Sequence, residues 1–583
     1  MRDKKGDAGN KMKDIPRDKI FVGKIVDLVK LSHYGFIKSD DPELGKIFFH
    51  SDNLIDVAYM NLRFGDRVSF RVDTDTRDRI GARDVRDTTA DTLIPYKNLQ
   101  LGYARAEQES AMCPQLLLEG FLDEEKFAHE LSFGSRFLVL GDKGSGKSAL
   151  AQHIRLTAER ESNIFVRTVY LSDFPFVNFA KIINTDELPA SRYPTAWSWI
   201  LLLYVLDSFR LDQGSPTGSD DDFLHAVEFL SKLGLIPSPE LKHLVNISTK
   251  AEFKLKLTPF FEAKKTIMSP NIKETVPFLV EKLLGLISRF RSQSKHLLFV
   301  DGLDDILTFE DIQYEALAAL LSETNRLNTC FHQSGTPAKI ILLCRTDLFE
   351  RLPGPNKNKI RQDSSILLDW YGSESDPMET KLVKLANRRV RLSDRSIVNL
   401  FHEYFRKSYQ RRPLIGFLLK YTRHNPRDFI QLLKAIQRHE TSVRVDSKSI
   451  GEALADYSEN YFLPEIRDIL DGFIDKRDID LVFRLLGAQG KRTFYFSSLK
   501  KFVRAIPKYR SLDLDTILDG LFECGVIGNR ISNASSKSYT RFKYRNRNSV
   551  LNYRDEIIIQ GALWLAFKMQ HGIPSSKPEI LDG

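Results

Sequence analysis

Residues 141–148 have the types and the spacing of a loop that binds phosphate. Their sequence, Gly-Asp-Lys-Gly-Ser-Gly-Lys-Ser, places glycines where positive φ turns consecutive backbone N–H groups toward phosphate oxygens. In this pattern Lys147 reaches the β- and γ-phosphates and Ser148 ligates Mg²⁺, so ATP and Mg²⁺ are the expected cofactors. The expected nucleotide contacts in the loop are Gly141, Lys143, Gly144, Ser145, Gly146, Lys147 and Ser148.

Two elements must hold this loop in place. The apolar run Phe137–Leu140 predicts a buried strand before it, and the residues from Ser148 to Ile154 predict a helix after it. A helix that begins here directs the positive end of its dipole at the phosphates. Strand, loop and helix together predict an α/β P-loop core.

An acidic motif follows about 150 residues later in the chain. The apolar run 296–300 ends in Asp301, which predicts a strand that delivers a carboxylate to the Mg²⁺. Asp304 and Asp305 come next, and either could polarise the attacking water as a general base. Lys147, Asp301 and these two aspartates are therefore the candidate catalytic residues, with Ser148 and Asp301 as metal ligands.

The order of these motifs resembles the AAA+/STAND division of P-loop ATPases. The resemblance covers about residues 116–565 and includes the Asp-Gly-Leu-Asp-Asp segment that begins at Asp301. The chain is more specifically similar to a bacterial group with a Lys-Gly-Ser-Gly-Lys-Ser loop, a helical lid and a winged helix. This resemblance implies nucleotide-dependent switching and oligomerisation.

The resemblance also assigns roles to two arginines. Arg345 ends the strand predicted at 338–344, where such ATPases keep a sensor of the γ-phosphate, although it could be an ordinary surface arginine. Arg427 begins a predicted helix capped by Asn425, where related proteins touch the phosphates from the lid. The alternative for Arg427 is a local pair with Asp428.

Short alternating strands between Lys19 and about Val85 predict a small β-barrel. The segments Tyr34–Ile37, Phe48–His50 and Gly65–Phe70 resemble a cold-shock domain. The resemblance implies an OB-type barrel that stacks single-stranded nucleic acid on aromatic side chains. The expected contacts are Tyr34, Phe36, Phe48 and His50.

The barrel departs from the cold-shock pattern at two positions. Asp27 stands where the family has tryptophan, and Ser51 stands where an aromatic residue is expected. Because stacking contributes about 1–3 kcal/mol per base, these losses predict weaker binding. The alternative is a barrel that only docks proteins.

The C-terminal block predicts three helices and then two strands joined by a wing, which is a winged-helix pattern. Its third helix carries Asp515, Asp519 and Glu523 without a basic residue, so base readout by that helix is not expected. The second helix and the wing could contact phosphate, or the domain could dock a protein. The candidate contacts are Lys500, Lys501, Arg504, Arg541, Lys543 and Arg545.

Charge is distributed unevenly along the 583 residues. The whole chain has a formal net charge of +9, whereas the windows 381–440 and 491–550 alone carry +11 and +9. This asymmetry indicates contact with a polyanion, or else a solvated basic face or a phosphate-facing lid. Four scattered cysteines and a charged N-terminus without an apolar segment predict a cytoplasmic protein that does not enter a membrane.

The predicted fold class is multidomain, with an OB-type β-barrel, an α/β P-loop NTPase core, a helical lid and a C-terminal winged helix. The predicted boundaries are a tail at 1–16, the barrel at 17–88, a linker at 89–115, the core at 116–375 with a helical insertion at about 210–290, the lid at 376–462, the winged helix at 463–567 and a tail at 568–583.

This organisation predicts an ATP-hydrolysing switch that couples nucleotide state to nucleic-acid binding and to assembly as a homo-oligomer. The expected nucleic acid is single-stranded RNA or DNA, with duplex as a second option, and a separate effector protein would deliver the output. A role in bacterial antiviral defence or stress sensing rests on architecture alone. The alternatives are a non-hydrolysing, nucleotide-bound scaffold with protein-docking flanks and an origin-type DNA loader.

Overall fold

The computed structural model describes residues 18–569 except 30–31, 56, 60–61, 75–79, 89–92, 172–173, 180, 184–188, 239, 250–274, 304–310, 355–356, 373–375 and 533–537. Within these residues the chain forms an N-terminal barrel, a parallel α/β core, a helical region and a C-terminal domain of helices and antiparallel strands.

The N-terminal strands close into a five-stranded barrel, which confirms the small barrel predicted from the sequence. Alternate residues on each strand fill its interior, and Ile25, Ile37 and Phe49 are fully buried there. The strands are joined in the order β1-β2-β3-β5-β4. Their bounds are β1 Phe21–Val29, β2 Tyr34–Ser39, β3 Lys46–His50, β4 Arg67–Thr74 and β5 Ile80–Asp87.

The described residues 93–118, most of which were predicted to be a linker, pack instead against the helical region. Tyr96, Leu99 and Leu101 are buried in the same apolar cluster as the helices of residues 381–470. Glu109 forms a buried bidentate pair with Arg389 at 2.7 and 2.9 Å. The segment looks polar in sequence because its few apolar residues are spaced to bury one side only. Its helices are α1 Ala106–Met112 and α2 Pro114–Leu118.

The P-loop belongs to a five-stranded sheet in which every neighbouring pair of strands is parallel. The strand order is β10-β6-β9-β8-β7. The bounds are β6 Leu138–Gly141, β7 Ile164–Tyr170, β8 Lys295–Asp301, β9 Ala338–Arg345 and β10 Ser365–Leu367. Because parallel strands end at the same edge, Gly141, Asp301 and Arg345 meet there.

Helices surround this sheet, and some of them lie between residues 221 and 289, within the stretch where the sequence predicts a helical insertion. The core helices are α3 Phe127–Phe133, α4 Lys147–Ala158, α5 Phe176–Phe179, α6 Pro189–Arg210, α7 Asp221–Lys232, α8 Leu241–Thr249, α9 Thr275–Arg289, α10 Asp311–Ser334, α11 Thr346–Arg351 and α12 Lys357–Ser364. In the part of the chain that the structure describes, no helix combines the length and the apolar character needed to cross a bilayer.

The helical region follows the core. Its longest amphipathic helix buries Phe429, Leu433 and Ile436, which lie on one face at helical spacing. The elements are α13 Lys381–Val390, α14 Leu400–Tyr404, β11 Ser408–Tyr409, β12 Arg412–Pro413, α15 Leu414–Leu419, α16 Pro426–His439, α17 Ser447–Asp456, a π-helical segment Tyr457–Phe462 and α18 Leu463–Leu470.

Within its described residues, the C-terminal domain combines four α-helices with a four-stranded antiparallel sheet of order β13-β16-β14-β15. Its elements are α19 Lys476–Gln489, β13 Thr493–Phe494, α20 Phe496–Ala505, α21 Leu514–Glu523, β14 Ile527–Ser532, β15 Ser538–Arg541, β16 Glu556–Ile559 and α22 Gly561–Ala566.

Candidate nucleotide site and nucleic-acid face

The loop between β6 and α4 has the backbone of a phosphate cradle. Gly144 and Gly146 have φ of +85° and +96°, a region that side chains with a Cβ rarely adopt. Gly146 is also the N-cap of α4, so the first N–H groups of that helix face the mouth of the loop. This geometry suits an anion.

Ser148 and Asp301 form the metal side of the loop. Ser148 Oγ donates to Asp301 Oδ2 at 2.7 Å, and the N–H of Gly302 donates to Asp301 Oδ1 at 2.8 Å. The serine proton is therefore directed at the carboxylate, which leaves the lone pairs of Oγ for a cation. Two adjacent oxygen groups of this kind fit Mg²⁺, which prefers oxygen ligands and usually binds proteins through one or two carboxylates.

Lys147 lies over the loop as the pattern requires. Its side chain is buried, and Nζ donates to the carbonyl oxygens of Gly141 at 3.1 Å and Asp142 at 3.3 Å. These neutral acceptors hold the ammonium close to the loop without cancelling its charge. Lys147 can therefore exchange them for phosphate oxygens.

Arg345 is the register partner of Gly141 on the neighbouring strand and is not an exposed surface arginine. Its guanidinium donates to both carboxylate oxygens of Asp347, at 2.9 and 2.6 Å. Burial favours the neutral form of Asp347, but Arg345 outweighs burial and holds the pKa of that carboxyl below its usual range. Arg345 is thus fixed at the edge where the γ-phosphate is expected.

The start of α16 lies directly on the P-loop. The N–H of Arg427 donates to Gly144 O at 3.3 Å. A Cβ added to Gly144 would meet Asn425 Oδ1 and Arg427 Cβ at 3.0 Å, so this glycine is needed for the close approach as well as for its φ. The helical region therefore touches the loop through main-chain atoms.

Glu465 lies close to three cationic side chains at this contact. Its Oε1 lies 3.4 Å from Lys143 Nζ, 3.5 Å from Arg427 Nη1 and 3.8 Å from Arg423 Nη2. Asp428, the predicted local partner of Arg427, is instead buried against Arg423 in a bidentate pair. Glu465 on α18 was not singled out in the sequence, because nothing in its local pattern distinguishes it from a surface glutamate.

Trp370 closes a small cleft beside the loop. Its indole Nε1 donates to Ser145 O at 2.7 Å. Phe121, Leu122 and Leu368 complete the wall of a cleft of about 30 Å³, which has room for about one water molecule. A cleft of this size has no room for a nucleotide base.

A larger cavity of about 790 Å³ lies between the P-loop, α11, α18 and the C-terminal domain. Arg547 crosses it, with Nη2 at 3.6 Å from Asp142 Oδ2 and at 3.4 Å from Leu368 O. The sequence counts Arg547 among the basic residues of the predicted wing but does not predict this contact, which depends on how the C-terminal domain folds back. Asp304 and Asp305, the predicted candidates for the general base, lie outside the described residues.

The barrel presents the predicted aromatic residues as one outward cluster. The ring centroid of Phe48 lies 5.5 Å from that of Tyr34 and 5.9 Å from that of Phe36, and the Phe48 side chain is 42% exposed. His50 has a structural role instead, because its Nδ1 accepts a hydrogen bond from the N–H of Asp52. The usable stacking surface is therefore Tyr34, Phe36 and Phe48.

The basic residues predicted on the C-terminal domain divide into two groups. Lys500, Lys501 and Arg504 are exposed along α20. Lys543 instead pairs with Glu523 at 2.8 Å. Arg545 donates to Thr540 Oγ1 and lies over the ring of Tyr371, and Arg541 is half-buried at the end of β15.

Residues 380–463 match the model of the FunZ-associated C-terminal helical domain. The match falls on the helical region that contacts both the P-loop and the barrel. The chain is also 22% identical over 523 residues to the transposon gamma-delta 80.3 kDa protein of Escherichia coli (strain K12), covering 84% of this chain and 70% of that protein.

The chain also aligns with three distant solved structures. The Aeropyrum pernix Orc1 protein, solved in complex with DNA, is 12% identical with a TM-score of 0.34, and 79% of this chain and 96% of that one are covered. The Thermotoga maritima RuvB Holliday junction branch migration motor is 13% identical with a TM-score of 0.28, with 78% and 99% covered. Cdc6p from Pyrobaculum aerophilum gives 12%, a TM-score of 0.27, and coverage of 77% and 94%. TM-scores this low extend no function to this chain.

Proposed function

We propose that this chain is an ATP-binding and ATP-hydrolysing switch that couples nucleotide state to nucleic-acid binding and to assembly. The observation that carries the proposal is the 2.7 Å contact of Ser148 with Asp301 beside a loop that contains two left-handed glycines. A strand, a glycine loop, a helix N-terminus and an acidic strand end together form a phosphate and Mg²⁺ site.

Each residue of the site has a role in this proposal. Mg²⁺, when bound, neutralises charge on the β- and γ-phosphates. Ser148 offers its oxygen while Asp301 keeps that oxygen oriented, and Lys147 exchanges two carbonyl partners for phosphate. Arg345 lies at the γ-phosphate edge and is held there by Asp347. That Asp304 or Asp305 orients the attacking water stays a prediction.

The helical region acts as the lid in this proposal. Its contacts with Gly144 through Asn425 and Arg427 make the position of the lid dependent on the shape of the loop. The helical region also contacts the barrel. The Asp66 carboxylate pairs with Arg444, and Arg63 Nη1 donates to Tyr404 O at 3.2 Å. A change at the loop is thereby transmitted to the barrel through one packed unit.

The barrel is the proposed nucleic-acid site, because Tyr34, Phe36 and Phe48 form an exposed aromatic cluster of the kind on which unpaired bases stack. Single-stranded RNA or DNA is therefore the expected ligand. A duplex reader would use α21 of a winged helix, but Asp519, Gly520 and Glu523 of that helix line the 790 Å³ cavity. Duplex binding through α21 requires this junction to open.

The test is the rate of ATP hydrolysis with and without single-stranded RNA, single-stranded DNA and duplex DNA, at two salt concentrations. We expect hydrolysis that single strands change and that Lys147→Ala abolishes while leaving the chain folded. Lys232→Ala is the matched control, because Lys232 is a 72% exposed lysine of α7 that pairs with Glu228 of the same helix. Tightly retained nucleotide without turnover would instead indicate the non-hydrolysing scaffold.

Assembly is tested in the same samples. A homo-oligomer that forms with ATP and is lost in Lys147→Ala is the expected result, measured as mass by light scattering. A defence or stress-sensing role and a separate effector remain predictions that follow from this layout.

A further inference from the structure

Four cations form a row across the outer face of the barrel. Arg67 is the register partner of Lys24, Lys24 that of Lys38, and Lys38 that of Lys46. All four side chains point outward, because they alternate with residues that are buried in the barrel. Like charges directly opposite one another destabilise a sheet, so a negative charge placed near this row would stabilise it.

The protein compensates only the ends of the row. Arg67 pairs with Asp40, and Lys46 Nζ lies 3.7 Å from Asp27 Oδ2. Lys24 and Lys38, in the middle, form no ion pair with any residue that the structure describes. Asp27, which stands where the cold-shock family has tryptophan, is thus the partner of the outermost lysine.

The row of cations lies next to the aromatic cluster on the same face of the barrel. Phe36 precedes Lys38 by two residues on the same strand face, and Phe36 is the register partner of Phe48. Lys46 Nζ lies 4.4 Å from the centroid of the Phe36 ring. Bases stacked on Phe36 and Phe48 would thus place their phosphates along the row.

Beyond Lys24 and Lys38 the barrel faces the helical region across a groove of about 260 Å³. The opposite wall is formed by Val398, Asn399 and His402. Both carboxylates at the groove already have local partners. Asp40 pairs with Arg67, and Glu403 Oε1 accepts from the N–H of Val398 at 2.8 Å and of Asn399 at 3.3 Å.

We propose that a single strand bound on the barrel runs along this row into the groove, so that the helical region forms part of the nucleic-acid site. The inference rests on the proposed nucleic-acid role of the barrel. The occupant is the backbone of unpaired RNA or DNA, because the site continues a surface that stacks unpaired bases and carries two uncompensated lysines. Nucleic acid would then hold the barrel and the lid together directly.

The test compares the affinities of two fluorescein-labelled oligothymidylates, one of about three and one of about twelve nucleotides, by anisotropy. Val398→Asp places a carboxylate in the groove at a side chain that is 62% exposed. We expect it to weaken the longer oligonucleotide by about fivefold and to leave the shorter one unchanged. Val550→Asp, at a 76% exposed valine of the C-terminal domain, is the matched control and should change neither.

Lys38 lies on the barrel side of the groove, opposite Val398, and provides a second test. Lys38→Gln should lower the slope of log affinity against log salt by about 0.7 for the longer oligonucleotide. If Val398→Asp and Val550→Asp bind both lengths like the wild type, the groove inference is wrong while the proposed role of the barrel survives. If the wild type binds neither length, as oligothymidylate or as oligouridylate, the proposed nucleic-acid role fails and the inference fails with it.

Discussion

The barrel and the C-terminal domain use positive charge in opposite ways. Residues 17–88 contain thirteen Lys or Arg and thirteen Asp or Glu, so the barrel segment has no net charge, yet it arranges four cations in an outward row. The window 491–550 has a net charge of +9, yet Lys543 pairs with Glu523 of the same domain and Arg547 lies near Asp142 of the P-loop. Placement on the fold, more than net charge, decides which surface can meet a polyanion.

The two domains also differ in how they are attached. The barrel is fixed to the helical region by the Asp66–Arg444 pair, in which the carboxylate is fully buried. The C-terminal domain reaches the P-loop through Arg547 and Asp142 at 3.6 Å, and the Asp142 side chain is 41% exposed. The buried Asp66–Arg444 pair is suited to hold two domains together as one unit. The partly exposed contact of Arg547 with Asp142 is suited to open and close.

Removing the buried carboxylate should give the largest effect. Asp66→Asn leaves Arg444 buried without its ion partner, which typically costs about 3–5 kcal/mol. We expect the barrel to detach from the helical region, measured as a lower unfolding midpoint in denaturant and faster proteolysis between the two. Asp52→Asn, at an exposed barrel carboxylate, is the control. Equal stability of both variants would contradict the rigid attachment.

Removing one stacking ring comes next. Phe48→Ala should weaken single-stranded binding by about 1–3 kcal/mol, since each stacked base contributes that much. Anisotropy with a labelled oligonucleotide measures the change. Tyr495→Ala, at an exposed aromatic residue of the C-terminal domain, should have no effect. An equal loss in both variants would mean that the two domains share the ligand.

A smaller effect is expected at His424 of the helical region, which lies between Tyr371 of the core and Tyr544 of the C-terminal domain. Burial and the nearby Arg545 lower its pKa to about 3, while Asp428 opposes this; Tyr371 and Tyr544 pack against the ring. The unfolded chain binds a proton near pH 6.5 but the folded one does not, so stability falls as pH drops below about 6.5.

His424→Asn should flatten this pH dependence, because asparagine tolerates the φ of +53° at this position and does not titrate. Denaturant midpoints at pH 7.5 and 5.5 measure it. An unchanged difference between the two pH values would assign the acid sensitivity to other groups.

The smallest change in stability is expected at Arg547. Arg547→Gln should cost less than about 1 kcal/mol, because its carboxylate partner is partly exposed. Yet it should speed nucleotide exchange, measured by release of a fluorescent ATP analogue, because the C-terminal domain then contacts the loop less tightly. A large loss of stability would show that this domain is fixed as firmly as the barrel.

The sequence predicted the local elements around the P-loop well. The apolar runs at 137–140, 296–300 and 338–344 correspond to strands β6, β8 and β9. Buried parallel strands need continuous apolar residues, and this local signal is hard to mistake. The position of Asp301 beside Ser148 followed from the rule that parallel strands end at one edge.

The contacts between domains could not be predicted, because they join residues that are far apart in the chain. Glu465 meets Lys143 across more than 300 positions, and Trp370 meets Ser145 through a main-chain oxygen. The segment at 93–118 looked like a linker because burial on one side needs only a few apolar residues. The row of cations was hidden for a related reason, since cross-strand register is absent from the order of residues.

The central claim is that the helical region links ATP at the P-loop to nucleic acid at the barrel. The most direct test is the dissociation constant of ATP with and without a saturating single-stranded oligonucleotide, followed by the reciprocal experiment. We predict a shift of about 5- to 150-fold that has the same size in both directions, as linkage requires. An ATP affinity that the oligonucleotide leaves unchanged, in a chain that binds both ligands, would contradict the account.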